Sequence, residues 1–382
     1  MKRVILIVMD GCGAGEAPDA PLFNDSDHPA TIRHVWEKAG PLNTPNLLAC
    51  GFLAACKVGE PTGVPREGFG VRYGRLRELS MGKDSVTGHW EMMGILTEKP
   101  FPTYPHGFPK DLVEAFESRI GVGILGNKAA SGTEIIAELG AEHVRTGKPI
   151  VYTSADSVFQ VACHEHVVPI ERLYEICQIG REVCASPNNV QRVIARPFEG
   201  EATHGFTRTG RRRDFPLEAP PNLVDQIGDV YGIGPVPELF GGRGFRPVHR
   251  SQNNVEHEQA LWVALASDAR FIYANFEDFD MLFGHRNDPV GFAGALVRFD
   301  QTLGSLLERL TADDLLLLTA DHGNDPTTAS TDHSREYVPI CAIGASLTSK
   351  ALRDIDGMTA LGATVAVHLG IDWKVGTPVC GN

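Results

Sequence analysis

Residues 1–16 read MKRVILIVMDGCGAGE, and the fold class turns on how the apolar run Val4–Met9 is taken. A basic pair followed by an apolar run has the start of a secretion signal. The run is short, however, and ends on an aspartate and glycines where a small-residue cleavage site would be needed. Six apolar residues closed by Asp10-Gly11 instead fit a buried strand with its turn. Two further stretches have the same form. Arg270–Phe276 precedes DFDMLFGHRND (residues 278–288), and Asp314–Ala320 precedes DHGND (residues 321–325).

Between these strands lie helical patterns. Phe292, Leu296, Phe299, Leu303 and Leu307 keep helical spacing across Pro289–Leu310, and helices are also expected at Pro45–Cys50 and Met358–Leu369. Strands alternating with helices predict an α/β fold with a central, mostly parallel sheet flanked by helices. The chain has 382 residues, more than a single core usually holds. Its middle has a texture of its own, with element signals at Gly132–Gly140, Pro149–Ser154 and Ile170–Val183. This segment lies between the proline-rich PFPTYPHGFP (residues 100–109) and PLEAPP (residues 216–221). We therefore expect a core domain of residues 1–100 and 217–382, interrupted by an inserted α/β cap domain of residues 101–216.

Composition narrows the partners. A formal charge of −13 disfavours nucleic acids and anionic membranes, both of which ask for a basic surface. No apolar stretch approaches the roughly 20 residues of a membrane-spanning helix. The eight cysteines are scattered without a CxxC pair, as in reduced intracellular proteins, so a cytoplasmic location is expected. Gly11, Gly13 and Gly15 imitate part of a dinucleotide fingerprint but with the wrong spacing.

The chemistry gathers at the strand ends. A lone histidine after a strand is usually a hydrogen-bonded loop residue, and an aspartate before glycine is usually a turn former. Here Asp10, Asp280, His285, Asp321, His322 and His333 all fall just beyond three candidate strands. Parallel strands bring their carboxyl ends to one edge, so these six side chains can converge there. Mixed carboxylate and imidazole donors suit Mn²⁺ or Zn²⁺, and six donors suit a pair of ions. Two ions roughly 3.5–4 Å apart can clamp both oxygens of an in-line phosphoryl displacement. A fourth stretch, GKDSVTGHWEMMG (residues 82–94), places Ser85 at a helix start. Read as structure, Ser85 is a helix N-cap. Read as chemistry, it is a nucleophile whose phosphate would meet the positive end of a helix.

These stretches together resemble the phosphopentomutases of the alkaline phosphatase superfamily. The resemblance rests on VMDGCGAGEAPDA (8–20), GKDSVTGHWEMMG (82–94), GNKAASGTEII (126–136), SADSVFQ (154–160), FDMLFGHRNDP (279–289) and TADHGNDPTT (319–328) with TDHSREYVP (331–339), in order over nearly the whole chain. It implies an alkaline phosphatase-like core with a cap and interconversion of a sugar 1-phosphate and its 5-phosphate, ribose or deoxyribose. It also implies a dinuclear site, usually manganese, on the six residues named, Ser85 as nucleophile, and a sugar bisphosphate as activator. In the cap it points to Ser154 and Asp156 for the sugar hydroxyls and to Arg192, Arg196 and Arg208 for the distal phosphate. Two positions depart from the pattern. Threonine is usual where this chain has Ser85, and a lysine near the sugar phosphate is usual where it has Pro235. A different sugar phosphate, or a metal-dependent phosphatase on the same core, are the alternatives. A non-catalytic sensor of sugar phosphates would keep the binding groups alone.

Overall fold

The computed structural model describes residues 1–25, 27–154 and 157–380. Two compact units emerge, one of Met1–Lys99 with Ala219–Asn382 and the other of Pro100–Glu218. The chain opens with β1 (Arg3–Met9) and β2 (Gly70–Arg77). The second unit then supplies β3 (Leu125–Ala129), β4 (Ile150–Thr153), β5 (Val158–His164), β6 (Arg192–Glu201), β7 (Gly205–Arg208) and β8 (Arg213–Pro216). Back in the first unit follow β9 (Tyr231–Ile233), β10 (Phe271–Phe276), β11 (Asp314–Thr319), β12 (Val338–Gly344), β13 (Lys350–Ala351) and β14 (Ile355–Asp356).

The sheet of the first unit runs β13-β2-β12-β11-β1-β10-β9, with β14 also on β2. β1 is flanked by β10 and β11, both parallel to it, and β9 is parallel to β10. In this register Val8 lies opposite both Asn275 and Thr319, so the three strands finish level with one another. Helices cover both faces of such a sheet, which is why β1, β10 and β11 read as continuous apolar runs and are buried almost throughout. β2 and β12 pair antiparallel and extend the sheet beyond β11. β2 was not expected from the sequence, because Gly70–Arg77 (GVRYGRLR) carries three arginines and two glycines and has no apolar run, whereas β12 (VPICAIG) is apolar and buried throughout.

The long helix Pro289–Arg309 starts with Pro289 in its first turn and Asp288 as N-cap, whose carboxylate accepts from the Gly291 amide at 2.8 Å. It packs beside Thr31–Ala39, and its Phe299 ring meets Phe276 and Phe279 edge-on. Helix Thr359–Leu369 packs on β1 and on Ser85–Met92. This is an α/β core, a mixed sheet dominated by parallel pairs and flanked by helices.

The second unit has its own sheet, β3-β4-β5-β6-β7, with β8 also on β6. One face packs on helix Gly132–Thr146 through Ile135, Ile136, Ile150, Tyr152, Ala162 and Phe198. The other buries Val151, Phe159, Val161 and Val193 against residues of Lys110–Ile120 and Ile170–Val183. With period-2 alternation, Arg192, Ile194, Arg196 and Phe198 share the first face.

Leu6, fully buried in the central strand, tests this layering. Leu6→Ala is expected to destabilise the protein by about 2–5 kcal/mol, read as a lower denaturant midpoint with an unchanged far-UV spectrum.

Candidate active site

Three strand ends place the six side chains. Asp10 follows β1, and Asp321 and His322 follow β11. After β10 the chain forms a single π-helical turn, Phe279–Phe283, and then the short 3-10 turn Gly284–Arg286, which carry Asp280 and His285. The wider π turn is a common device at functional sites. His333 comes from the loop before β12. All six converge in the first unit.

His322 is the middle of the cluster. Its Nε2 lies 3.3 Å from Asp321 Oδ2, 3.5 Å from Asp10 Oδ1 and 3.1 Å from Ser85 Oγ. Asp280 meets His285 Nε2 at 3.0 Å through Oδ2 and His333 Nε2 at 3.5 Å through Oδ1. The His322 and His333 rings are 3.9 Å apart by centroid, and His285 and His333 are 4.8 Å apart. Asp10, Asp321 and His322 form one group of possible cation ligands, and Asp280, His322 and His333 form another, each with its donor atoms within 4.8 Å of one another.

The donors fit divalent cations. His285 Nδ1 lies 2.7 Å from the Thr331 carbonyl and His322 Nδ1 lies 3.1 Å from the Gly323 carbonyl. A carbonyl only accepts, so each Nδ1 donates its proton and each Nε2 lone pair faces the carboxylates. That is the usual second bond of a metal-binding imidazole. Asp10 Oδ1 and Asp321 Oδ2 are buried and carry no hydrogen bond among the described residues. Burial, with Asp321 and Asp280 close by, pushes the Asp10 carboxyl well up, and the Asn275 amide offsets only part of this. Burial also pushes Asp280 up, but His333, His285 and His322 outweigh it and hold that carboxyl well below the usual range. Burial opposes the charged form of His333, yet Asp280 and then Asp332 and Asp84 bring it up to about 9.

Ser85 begins the helix Ser85–Met92, but it is not the N-cap. Asp84 takes that place. Its carboxylate accepts from the Val86 and Thr87 amides at 3.0 and 3.2 Å, and the Asp84 amide donates to the Thr87 hydroxyl at 3.3 Å. This capping box has a chemical consequence. Two of the amides that would have met a phosphate on Ser85 are occupied by a carboxylate, so compensation of that charge falls to cations. Gly88 sets how closely the helix approaches, since a β-carbon there would overlap the Asp321 carbonyl oxygen. One turn after Ser85, the buried His89 places Nδ1 2.9 Å from the Ser85 carbonyl and 3.5 Å from Asp321 Oδ2.

Several supporting residues lay unnoticed inside the quoted motifs. Arg335 is 1% exposed and ties the segment before Ser85 in place. It donates to Glu78 Oε2 at 2.5 Å, to the Glu78 and Gly82 carbonyls at 2.6 Å, and to Asp19 Oδ2 at 2.9 Å. Glu91, fully buried, accepts from the amides of Leu79, Ser80 and Met358. Glu91, a charge between Trp90 and Met92, carried a signal in the sequence, but Arg335 stands among polar neighbours, where spacing does not separate a buried clamp from a solvated side chain.

Within the second unit, Arg196 Nε donates to Gln160 Oε1 at 2.9 Å. Burial, together with the nearby Arg212 and Arg208, lowers the Arg196 guanidinium pKa, and the same three arginines surround the buried Tyr152 hydroxyl. Helix Gly132–Thr146 starts here, and a β-carbon on Gly132 would overlap Arg208 and Tyr152. Arg192 lies 3.9 Å from Asp214 through Nη1. Arg212, not singled out by sequence, pairs with Asp214 at 2.6 Å. Ser154 follows β4 half-buried, and Asp156 lies outside the described residues.

A protein of Dictyoglomus turgidum called phosphopentomutase is 50% identical over 349 residues, covering 89% of this chain and 87% of its own length. The chain belongs to the phosphopentomutase family. Another member, from Carboxydothermus hydrogenoformans, is 45% identical over 391 residues and matches the whole of this chain and 99% of its own. Residues 244–373, which carry five of the six candidate ligands, match the Metalloenzyme superfamily. The fold is shared with a solved protein from Pyrococcus horikoshii at a TM-score of 0.51 and 17% identity, over 98% of this chain and 99% of the other. Membership makes this chain a metal-dependent phosphomutase, an isomerase of the intramolecular phosphotransferase class. No helix among the described residues is long and apolar enough to cross a membrane.

Gly88→Ala should separate Ser85 from His322. The variant is expected to fold with a lower Tm and to lose on the order of 10²-fold in kcat, the cost of misplacing a reacting group by about 1 Å.

Proposed function

We propose that this chain interconverts a sugar 1-phosphate and its 5-phosphate, ribose or deoxyribose, through a phosphoserine at Ser85 beside two divalent cations, most suitably Mn²⁺. The observation that carries this reading is the 3.1 Å approach of Ser85 Oγ to His322 Nε2, because His322 is shared by both groups of candidate ligands. Asp10, Asp321 and His322 would hold one cation, and Asp280, His285 and His333 the other. When bound, such cations stabilise the charge that develops on a transferring phosphoryl group and lower the pKa of a neighbouring hydroxyl.

The remaining work falls to the chain. Ser85 resides in the phosphorylated form, which a sugar bisphosphate restores if the phosphate is lost. The 5-hydroxyl of a sugar 1-phosphate attacks the phosphorus on Ser85, the P–Oγ bond breaks, and the hydroxyl proton passes to the released Oγ. The resulting bisphosphate presents its other end, and Ser85 Oγ takes back the 1-phosphate, leaving the 5-phosphate as product. Both steps conserve phosphate, as an isomerase requires. Asp84, already bonded to two amides, keeps the first helical turn rigid while the phosphate comes and goes.

In the second unit, Arg196 and Arg208 suit the distal phosphate, since guanidinium groups grip phosphate oxygens in pairs. Three cationic side chains crowded around Tyr152 support this role, because mutual repulsion among them is relieved by an anion. Arg192 is placed with them, partly offset by Asp214. Ser154 and Asp156 are assigned to the sugar hydroxyls. Where a lysine is usual, Pro235 caps the short helix Val236–Leu239 and brings no charge. Phosphate affinity in this chain therefore leans on the arginine cluster.

Ser85→Ala should abolish turnover with ribose 5-phosphate while metal analysis shows unchanged cation content; persisting formation of acid-labile ribose 1-phosphate would eliminate the phosphoserine. Arg208→Ala should lower kcat/KM by roughly 10–100-fold, mainly through KM, as loss of charged hydrogen bonds worth about 1.5–3 kcal/mol implies. Without cations His333 holds a proton up to about pH 9, and that proton must leave before Nε2 can bind a metal. Apparent cation affinity should therefore rise with pH toward 9 and fall in acid. Calorimetry at pH 7 in buffers of different ionisation enthalpy should register net proton release on cation binding.

A further inference from the structure

Two buried side-chain amides touch the candidate ligands. Asn275 lies within β10 and is fully buried. Its Nδ2 donates to Asp10 Oδ2 at 2.6 Å, which turns the other oxygen, Oδ1, toward His322 Nε2. The parallel register explains the reach, because Asn275 stands opposite Val8 and Asp10 is two residues further along on the same side of β1. Asn324, also fully buried, is fixed by its own amide, which donates to the Gly11 carbonyl at 2.9 Å. Its Nδ2 donates to Asp280 Oδ1 at 2.7 Å. His285 Nδ1 is 3.3 Å away but already gives its proton to Thr331, so the amide serves Asp280.

Folding does not account for these residues. Asn275 Oδ1 and Asn324 Oδ1 are both buried without a hydrogen bond among the described residues, and an unmet buried acceptor weakens a fold. What an amide offers here is specific. A lysine or arginine in its place would neutralise the carboxylate, whereas the amide orients it and leaves its full charge for a cation. Each amide, moreover, serves a different carboxylate.

We propose that Asn275 and Asn324 are positioning residues, each dedicated to one cation subsite: Asn275 fixes Asp10 for the group with Asp321 and His322, and Asn324 fixes Asp280 for the group with His285 and His333. This rests on the two-cation reading above. The two subsites are then tuned separately, although His322 stands between them.

The test is calorimetric titration of the metal-stripped full chain with MnCl₂, with chelator competition, for the parent, Asn275→Ala, Asn324→Ala and His285→Ala. His285→Ala marks the step that belongs to the Asp280 subsite. Asn324→Ala is expected to weaken that same step by about 10–100-fold and Asn275→Ala the other step by a similar factor, the usual cost of removing an outer partner of a ligand. Should either alanine variant unfold, Asn275→Ser and Asn324→Ser carry the same comparison. If the parent binds two ions and either amide variant leaves both steps unchanged, or weakens both alike, the assignment is overturned. A parent that binds only one ion would instead bring down the two-cation reading, and this proposal with it.

Discussion

Three carboxylates, Asp10, Asp280 and Asp321, are buried at one edge of a sheet, and like charges so placed repel strongly where water is excluded. The rest of the first unit is arranged around that cost. His285 and His333 lean on Asp280, Asn275 steadies Asp10, and His322 stands between Asp10 and Asp321. Even so, one oxygen on each of Asp10 and Asp321 has no hydrogen bond among the described residues. A cluster that is electrostatically incomplete by itself is what a cation site looks like from the protein's side.

Ser85, the proposed nucleophile, depends on the same cluster. Ser85 owes its position to contacts on three sides: the close passage of Gly88 over Asp321, the Asp84 capping box, and the clamp of Arg335 and Glu91 on the preceding segment. Asp84 at the helix start is informative because it uses amides that a phosphate would otherwise claim. Under the proposed mechanism, a phosphate on Ser85 would therefore draw its support from cations more than from the helix.

The second unit shows the complementary charge problem. Arg196, Arg208 and Arg212 crowd about Tyr152 at the start of a helix, and burial lowers the pKa of the Arg196 guanidinium. Acidic and basic clusters thus belong to different units, although the chain as a whole carries a formal charge of −13. Net charge therefore says little about where an anion will bind, and the local grouping says more.

The α/β class, the three central strands and the convergence of six aspartate and histidine side chains at their ends were legible in the sequence. An apolar run closed by an aspartate reports both burial and strand end, and parallel pairing brings such ends together without further information. β2 was not legible, since a strand that draws its stability from its neighbours needs no apolar run of its own, as GVRYGRLR shows. The N-cap at Asp84 in place of Ser85 was equally hidden, because serine and aspartate cap helices equally well and only backbone geometry chooses between adjacent candidates. The roles of Asn275, Asn324, Glu91 and Arg335 came from tertiary structure alone. Each acts on residues brought near by folding, such as Asn275 on Asp10, and separation along the chain carries no trace of that proximity.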